Sequence, residues 1–317
     1  MTHDFTDPYF NLASEEYLLK QRKENFIYLW INSPAVIVGV NQNALAEVNL
    51  SYVEKNGIKV VRRLTGGGAV YHDLNNLCYT VIAPYRENDD AYRTFTAPVI
   101  GYLNSLGVKA EFSGRNDITA GGKKISGNAQ TVVGGRIMHH GTLLFKTDMN
   151  ALSRALKPNK LKTESKGIKS VRARVANIGD FLPDMTVTDL KKGLSEYFLQ
   201  SCDRYFLTEK DISAVKKLVR EKYSRYEWNI GRSPKGKNLF EHKFPFGIFS
   251  FSFDTENGRI KNARITGDFF SCKDINGFSE SLNGVNFEKG EMIAAFKNVG
   301  DYIVGADGEN IVNEIFS

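Results

Sequence analysis

Arg62 and Arg63 stand just before Gly66-Gly67-Gly68 in the stretch RRLTGGGAVYHD. Consecutive glycines are costly inside regular structure, because glycine loses more backbone freedom on ordering than any other residue. The stretch lacks the lysine of a GxxxxGK phosphate loop, and no helix pattern follows it as a GxGxxG dinucleotide fingerprint requires. Two readings remain. One is a tight hairpin with bulge glycines. The other is a turn whose backbone N–H groups and arginines meet a phosphate or carboxylate, anions that the arginine fork binds bidentately at any relevant pH.

A second group of chemically able residues lies in GRNDITAGGKKISGNAQ, with Arg115, Asn116 and Asp117 on one arm and Lys123, Lys124 and Ser126-Gly127-Asn128 on the other. The bland reading is an exposed hairpin with a solvated lysine pair. The sharper one places Lys124 as a cation facing a ligand, with Asp117 as a magnesium contact. A third group, MHHGTLLFK, puts His139 and His140 at the head of an apolar strand. No third ligand at zinc spacing accompanies them, which favours a structural or ligand-facing role over a metal site.

The elements around these groups alternate irregularly. Asp7-Pro8 opens a helix through YFNLASEEYLLK, with Asp7 as N-cap. FIYLWIN and AVIVGVNQ read as two strands paired with each other, and AVYHDLNNLCYTVIAP as one long strand. NLSYVEKNG is a short helix capped by Asn49, and AGG is a turn between the two arms of the lysine hairpin. Helices follow at VTDLKKGLSEYFLQ, capped by Thr188 or Asp189, and at EKDISAVKKLVREKY, capped by Thr208. Strict alternation over Phe249, Phe251 and Phe253 with a turn at Asn257-Gly258 begins a new unit. The pattern predicts an α+β chain: a large catalytic domain over 1–243 with mixed or antiparallel sheets flanked by helices, and a small α+β accessory domain over 244–317.

Composition narrows the function classes. The net charge is +6 and the pI about 9.0, which favours anionic partners, yet no block of like charges marks a nucleic-acid tail. Cys78, Cys202 and Cys272 are far apart with no CxxC spacing. No apolar run approaches the ~20 residues of a membrane span. A cytoplasmic protein is expected, without nucleic-acid or membrane partners.

RRLTGGGAVYHD, GRNDITAGGKKISG, HHGTLLFK and KGIKSVRARVANI occur in the order of the lipoate–protein ligases, and DPYFNLASEEYLL and VIVGVNQN near the start also resemble that family. The resemblance spans most of the chain. It implies a fold akin to biotin ligases and octanoyltransferases, and a two-step reaction. Lipoate and MgATP give lipoyl-adenylate and pyrophosphate; the acyl group then passes to one lysine of a lipoyl domain or glycine-cleavage H protein. ATP and magnesium enter as co-substrate and cation, with no tightly bound cofactor, and the enzyme is expected to be a monomer.

By resemblance, Lys124 is the central cation between the lipoyl carbonyl oxygen and the α-phosphate, and is not a covalent nucleophile. Arg63 contacts the adenylate, while Gly67, Gly68, Ala69, Val70 and Tyr71 line the intermediate. Asp117 is the magnesium or ribose contact, and His140 lies near the lipoyl carbonyl. Lys166 through Val175, including Val171 and Arg172, form an adenylate-binding loop. Rival readings are an ATP-independent octanoyl- or lipoyl-transferase using a cysteine thioester, a biotin ligase, an RNA-binding module, and a non-catalytic ligand-binding paralogue.

Overall fold

The computed structural model describes residues 1–87, 89–157, 175–231 and 237–317. Val171 and Arg172 lie outside them. In chain order the first part carries α1 (Pro8–Gln21), β1 (Phe26–Ile31), β2 (Ala35–Val38), α2 (Ala44–Glu47), α3 (Leu50–Lys55), β3 (Lys59–Arg62), β4 (Val70–His72) and β5 (Asn76–Pro84). There follow α4 (Ala91–Ser105), β6 (Ala110–Ser113), β7 (Asp117–Ala120), β8 (Lys123–Val133), β9 (Arg136–Leu144) and α5 (Met149–Ala155). These strands form two sheets. The larger has the order β1-β5-β9-β8-β7-β6 and is antiparallel throughout. The smaller has β2 at its centre, parallel to β3 and antiparallel to β4.

α1 is the element between them. Asp7 accepts a hydrogen bond from the Tyr9 N–H, and Pro8 supplies the first helical residue. Phe10, Leu12, Tyr17 and Leu18 pack in one cluster with Trp30, Ile37, Val61, Cys78 and Met138, residues drawn from both sheets. Its polar residues Asn11, Ser14, Glu15 and Glu16 are buried as well. A helix buried on its polar side must satisfy those groups internally, so α1 carries hydrogen-bonding side chains into the core.

Three expectations need correction here. β1 pairs with β5 and β2 with β3 and β4, so the two early strands belong to different sheets. The expected single strand from Ala69 breaks at Asp73: its carboxylate accepts from the Asn75 N–H at 2.9 Å and the Asp148 N–H at 2.8 Å. This turn carries the chain from the small sheet into the large one. The helix Val187–Phe198 is capped by Thr186 in a capping box with Asp189, ahead of the expected Thr188 or Asp189. Thr208 caps Glu209–Leu218 with Asp211 in the same way.

The C-terminal region forms its own sheet, β10 (Asn238–Phe244), β11 (Gly247–Glu256) and β12 (Arg259–Gly267), antiparallel in that order. β10 pairs with β11, so a boundary between 243 and 244 would cut a hairpin; the sheet begins at Asn238. Asn257 (φ 51°) and Gly258 (φ 74°) make the tight turn that joins β11 to β12. Helices Ile275–Ser281, Lys289–Phe296 and Gly308–Ile315 cover an aromatic core around Phe249, Phe251, Phe269 and Phe296.

Candidate active site

A cavity of about 200 Å³ lies where the two sheets meet α1. Its buried wall is apolar: Leu12 from α1, Trp30 from β1, Ile37 from β2 and Cys78 from β5. Lys124, Asn116, Asn128 and His140 bring polar groups to the remainder, and Gly66 through Val70 form one side. A slot with an apolar wall and a few convergent polar groups suits a small ligand with an acyl chain and a charged head.

The glycine loop is built by the arginines before it. Arg62 is fully buried and donates to the carbonyls of Gly39 and Gln42 (both 2.7 Å), Trp228 (2.9 Å) and Asn229 (3.0 Å). Arg63 lines the cavity, but its guanidinium bonds to Thr65 Oγ1 (2.8 Å) and to the carbonyls of Ile37 (3.2 Å), Gly66 (2.6 Å) and Gly68 (2.9 Å). Burial lowers the Arg63 pKa to about 10, against the pull of Glu15, so it stays charged near neutrality. The expected arginine–adenylate contact therefore meets a guanidinium already engaged in shaping the loop.

What approaches the glycines also differs from expectation. A Cβ on Gly66 would sit 2.3 Å from the Phe269 carbonyl oxygen, and one on Gly67 (φ +87°) 3.3 Å from the Phe270 ring. The Gly67 N–H donates to that same carbonyl at 3.1 Å, and Asn41 Nδ2 donates to Ser271 Oγ at 3.0 Å. Phe270 closes the cavity from the C-terminal region, with the Arg115 guanidinium 4.9 Å from its ring centre. The glycines thus seat a neighbouring backbone as well as lining the cavity.

His140 takes part in a buried chain. Its Nδ1 lies 2.9 Å from Glu15 Oε1 and its Nε2 2.8 Å from Thr65 Oγ1, which also accepts from Arg63 Nε. Glu15 Oε1 further accepts from Thr80 Oγ1 at 2.6 Å, and Thr80 accepts from Trp30 Nε1 at 2.9 Å. Thr65 has one proton to give, so the donors are all satisfied when His140 carries its proton on Nδ1 and Glu15 is the final acceptor. His139 points to the opposite face, packed against Tyr79, Tyr92 and Phe95.

Lys124 is the contrasting group. Its ammonium is 2.7 Å from Asp117 Oδ1, with both side chains about one-third exposed (37% and 34%). Val175 bridges to Lys124 in parallel, and the Ala176 N–H donates to the Lys124 carbonyl at 2.9 Å. The end of the expected adenylate loop is therefore pinned at the lysine.

The structure thus brings Arg63, Gly67, Gly68, Ala69, Val70, Lys124 and His140 to one cavity, with Asp117 and Val175 beside the lysine. Tyr71 is not among them. Between Val70 and His72, which face the cavity, it points to the other side of β4 and packs in the core with Val36 and Val38. Sequence reasoning missed Glu15, Trp30, His72 and Phe270; only their proximity in the fold marks them, since each sits in an ordinary helix, strand or turn pattern.

Residues 7–199 match the family model for the lipoyl protein ligase A/B catalytic domain, and residues 233–315 that for the bacterial lipoate protein ligase C-terminus. The chain is 42% identical over 307 residues to lipoate-protein ligase LplJ of Bacillus subtilis, covering 93% of this chain and 92% of the relative. It is 43% identical over 288 residues to lipoate–protein ligase 1 of Staphylococcus aureus, covering 89% and 88%. Among solved structures, Plasmodium falciparum LipL1 in complex with lipoate superposes with TM-score 0.77 at 27% identity, covering 99% of this chain and 96% of that one. A lipoate-protein ligase A bound with ATP superposes with TM-score 0.63 at 32% identity, covering 73% and 96%. With both family models matched in order and the polar groups gathered on one cavity, the chain belongs to the lipoate–protein ligase family.

Proposed function

We propose that the chain joins lipoate to ATP and then to a protein lysine. In the first step a lipoate carboxylate oxygen attacks the α-phosphorus, the bond to the β-phosphate oxygen breaks, and pyrophosphate leaves. In the second an acceptor amine attacks the acyl carbon, the carbon–oxygen bond to AMP breaks, and the amine proton passes to solvent. The observation that carries this reading is the Lys124 ammonium on the wall of a cavity that Leu12, Trp30 and Ile37 line with apolar surface.

Negative charge grows on the carboxylate and α-phosphate oxygens in the first step, and a fixed cation there favours the transition state over the ground state. Lys124 supplies that cation. The apolar wall of Leu12, Trp30 and Ile37 holds the acyl chain, and Gly68, Ala69 and His140 surround the carboxyl end. Magnesium arrives with ATP as part of the substrate. Asp117 offers it one carboxylate, which suits an ion that keeps phosphate and water ligands; among the described residues no group of three acidic, histidine or cysteine side chains could hold a metal alone.

Acceptors are lipoyl domains and the glycine-cleavage H protein. A two-part lipoate protein ligase and its E2 lipoyl domain are the subject of one superposable structure from Thermoplasma acidophilum (TM-score 0.66, 32% identity). The +6 charge would steer acidic carriers. We place the enzyme in the cytoplasm as a monomer, its catalytic and accessory domains dividing just ahead of Asn238.

A thioester-forming transferase is disfavoured by the cysteines. Cys78 lines the cavity 3.7 Å from His72 Nδ1, but burial pushes its thiol far up and lowers His72 to about 3, so both stay neutral. Cys202 and Cys272 are exposed and do not line the cavity.

Intact-mass spectrometry of an apo lipoyl domain incubated with the protein, lipoate, ATP and magnesium tests the reading. A lipoyl-sized gain that requires ATP supports it. A gain without ATP from an octanoylated donor, and none from free lipoate, would sink it.

A further inference from the structure

Lys124 and Gly127 are three residues apart on β8, and a regular pleated strand would place them on opposite faces. In the structure they share one. The Lys124 side chain lies across Gly127: a Cβ built on Gly127 would sit 2.8 Å from Lys124 Nζ and 2.9 Å from Cε.

The cause is a β-bulge. Asp117 pairs with Gly127 and Ile118 with Ser126, but Thr119 pairs with Lys124, so β8 advances two residues while β7 advances one. Ile125 is the extra residue. It is fully buried in the core with Ile118, Ala120 and Val99, which anchors the bulge. An extra residue on one strand re-aims the side chains beyond it, and here Lys124 turns toward the cavity that Gly127 also lines. The missing side chain at Gly127, directly across from Asp117, leaves the space through which the ammonium reaches Asp117 Oδ1 at 2.7 Å.

We propose that the β8 bulge and the bare backbone of Gly127 together position the Lys124 ammonium, which makes Gly127 a positioning residue for adenylate formation. This rests on the ligase reading above. The physical argument is a contrast in who must move. A methyl group at Gly127 meets only the flexible end of Lys124, so the fold adapts at little cost, while the displaced atom is the one that must stand at the developing charge.

The test is a double-mutant cycle of Gly127→Ala and Lys124→Ala, read by pyrophosphate release, by KM for lipoate and ATP, and by thermal melting. A displacement near 1 Å predicts that Gly127→Ala lowers kcat by about 10- to 100-fold. KM should change far less, and Tm should stay within about 3 °C because no buried group loses a partner. In the Lys124→Ala background, Gly127→Ala should change the residual rate by less than about twofold, since coupled residues are not additive. Three results would each overturn the proposal: an unchanged kcat in Gly127→Ala, an equal loss in both backgrounds, or a chain that fails to fold. Absence of lipoate-dependent pyrophosphate release from the unmutated protein is a separate outcome, which removes the ligase reading and this inference together.

Discussion

The glycine loop and the lysine hairpin both carry cations to the same cavity, yet they hold them in opposite ways. Arg62 and Arg63 are buried and tied to at least three carbonyls each, so their charge is committed to the shape of the loop. Lys124 is one-third exposed and, among the described residues, rests on a single carboxylate. A buried guanidinium is costly unless every donor is paired, so it makes a rigid frame and a poor reagent. An ammonium with one exchangeable partner can be handed to a substrate. The loop is architecture; the hairpin is chemistry.

Mutations should separate the two. Arg62→Met should cost the most in stability, about 3–5 kcal/mol, because five carbonyls in and around the core lose their donor; urea denaturation reads this, and a loss below about 1 kcal/mol would erase the contrast. Lys124→Ala should do the reverse, slowing pyrophosphate release by about 10²–10³ with an almost unchanged urea midpoint.

Gly66→Ala probes the far side of the loop. Its Cβ would lie 2.3 Å from a backbone oxygen, which cannot swing away as a lysine tip can. We expect about 1–3 kcal/mol of destabilisation, measured by urea unfolding, whereas Gly127→Ala should show almost none. Equal losses would mean that neither contact distinguishes loop from hairpin.

The adjacent histidines of β9 extend the comparison to pH. His140 is tied to Glu15 and Thr65, while neither ring nitrogen of His139 has a hydrogen-bond partner among the described residues. Burial, with a smaller push from His140, lowers His139 to about 3, and burial lowers His72 likewise. The unfolded chain takes up these protons near pH 6.5 and the folded protein only near 3, so stability falls as pH drops through that window. His139→Phe should reduce the slope there by about 1.4 kcal/mol per pH unit, read from unfolding free energies at pH 4 to 7. An unchanged slope would contradict the assignment.

Much of the site was legible from residue types. The glycine run, the hairpin turn before Lys124 and the caps Asp7, Asn49 and Thr208 all rest on local backbone chemistry, and all lie where that chemistry puts them. Tyr71 shows the limit: alternation says that neighbours on a strand diverge, but not which face holds the cavity. The pairing of β1 with β5 was equally hidden, because a strand's composition does not specify its partner.

By itself the sequence determined which groups are available: cations beside glycines, a lysine after a tight turn, apolar runs long enough to build two sheets and a third. Those follow from side-chain chemistry and short-range sterics. Tertiary structure alone decided which cation is committed to the frame and which is held by an exchangeable partner. Arg63 and Lys124 carry the same charge, but only burial among carbonyls commits the first to the frame, and only a one-residue bulge turns the second toward the cavity. Both depend on contacts between residues distant in sequence, whose strength no local pattern encodes.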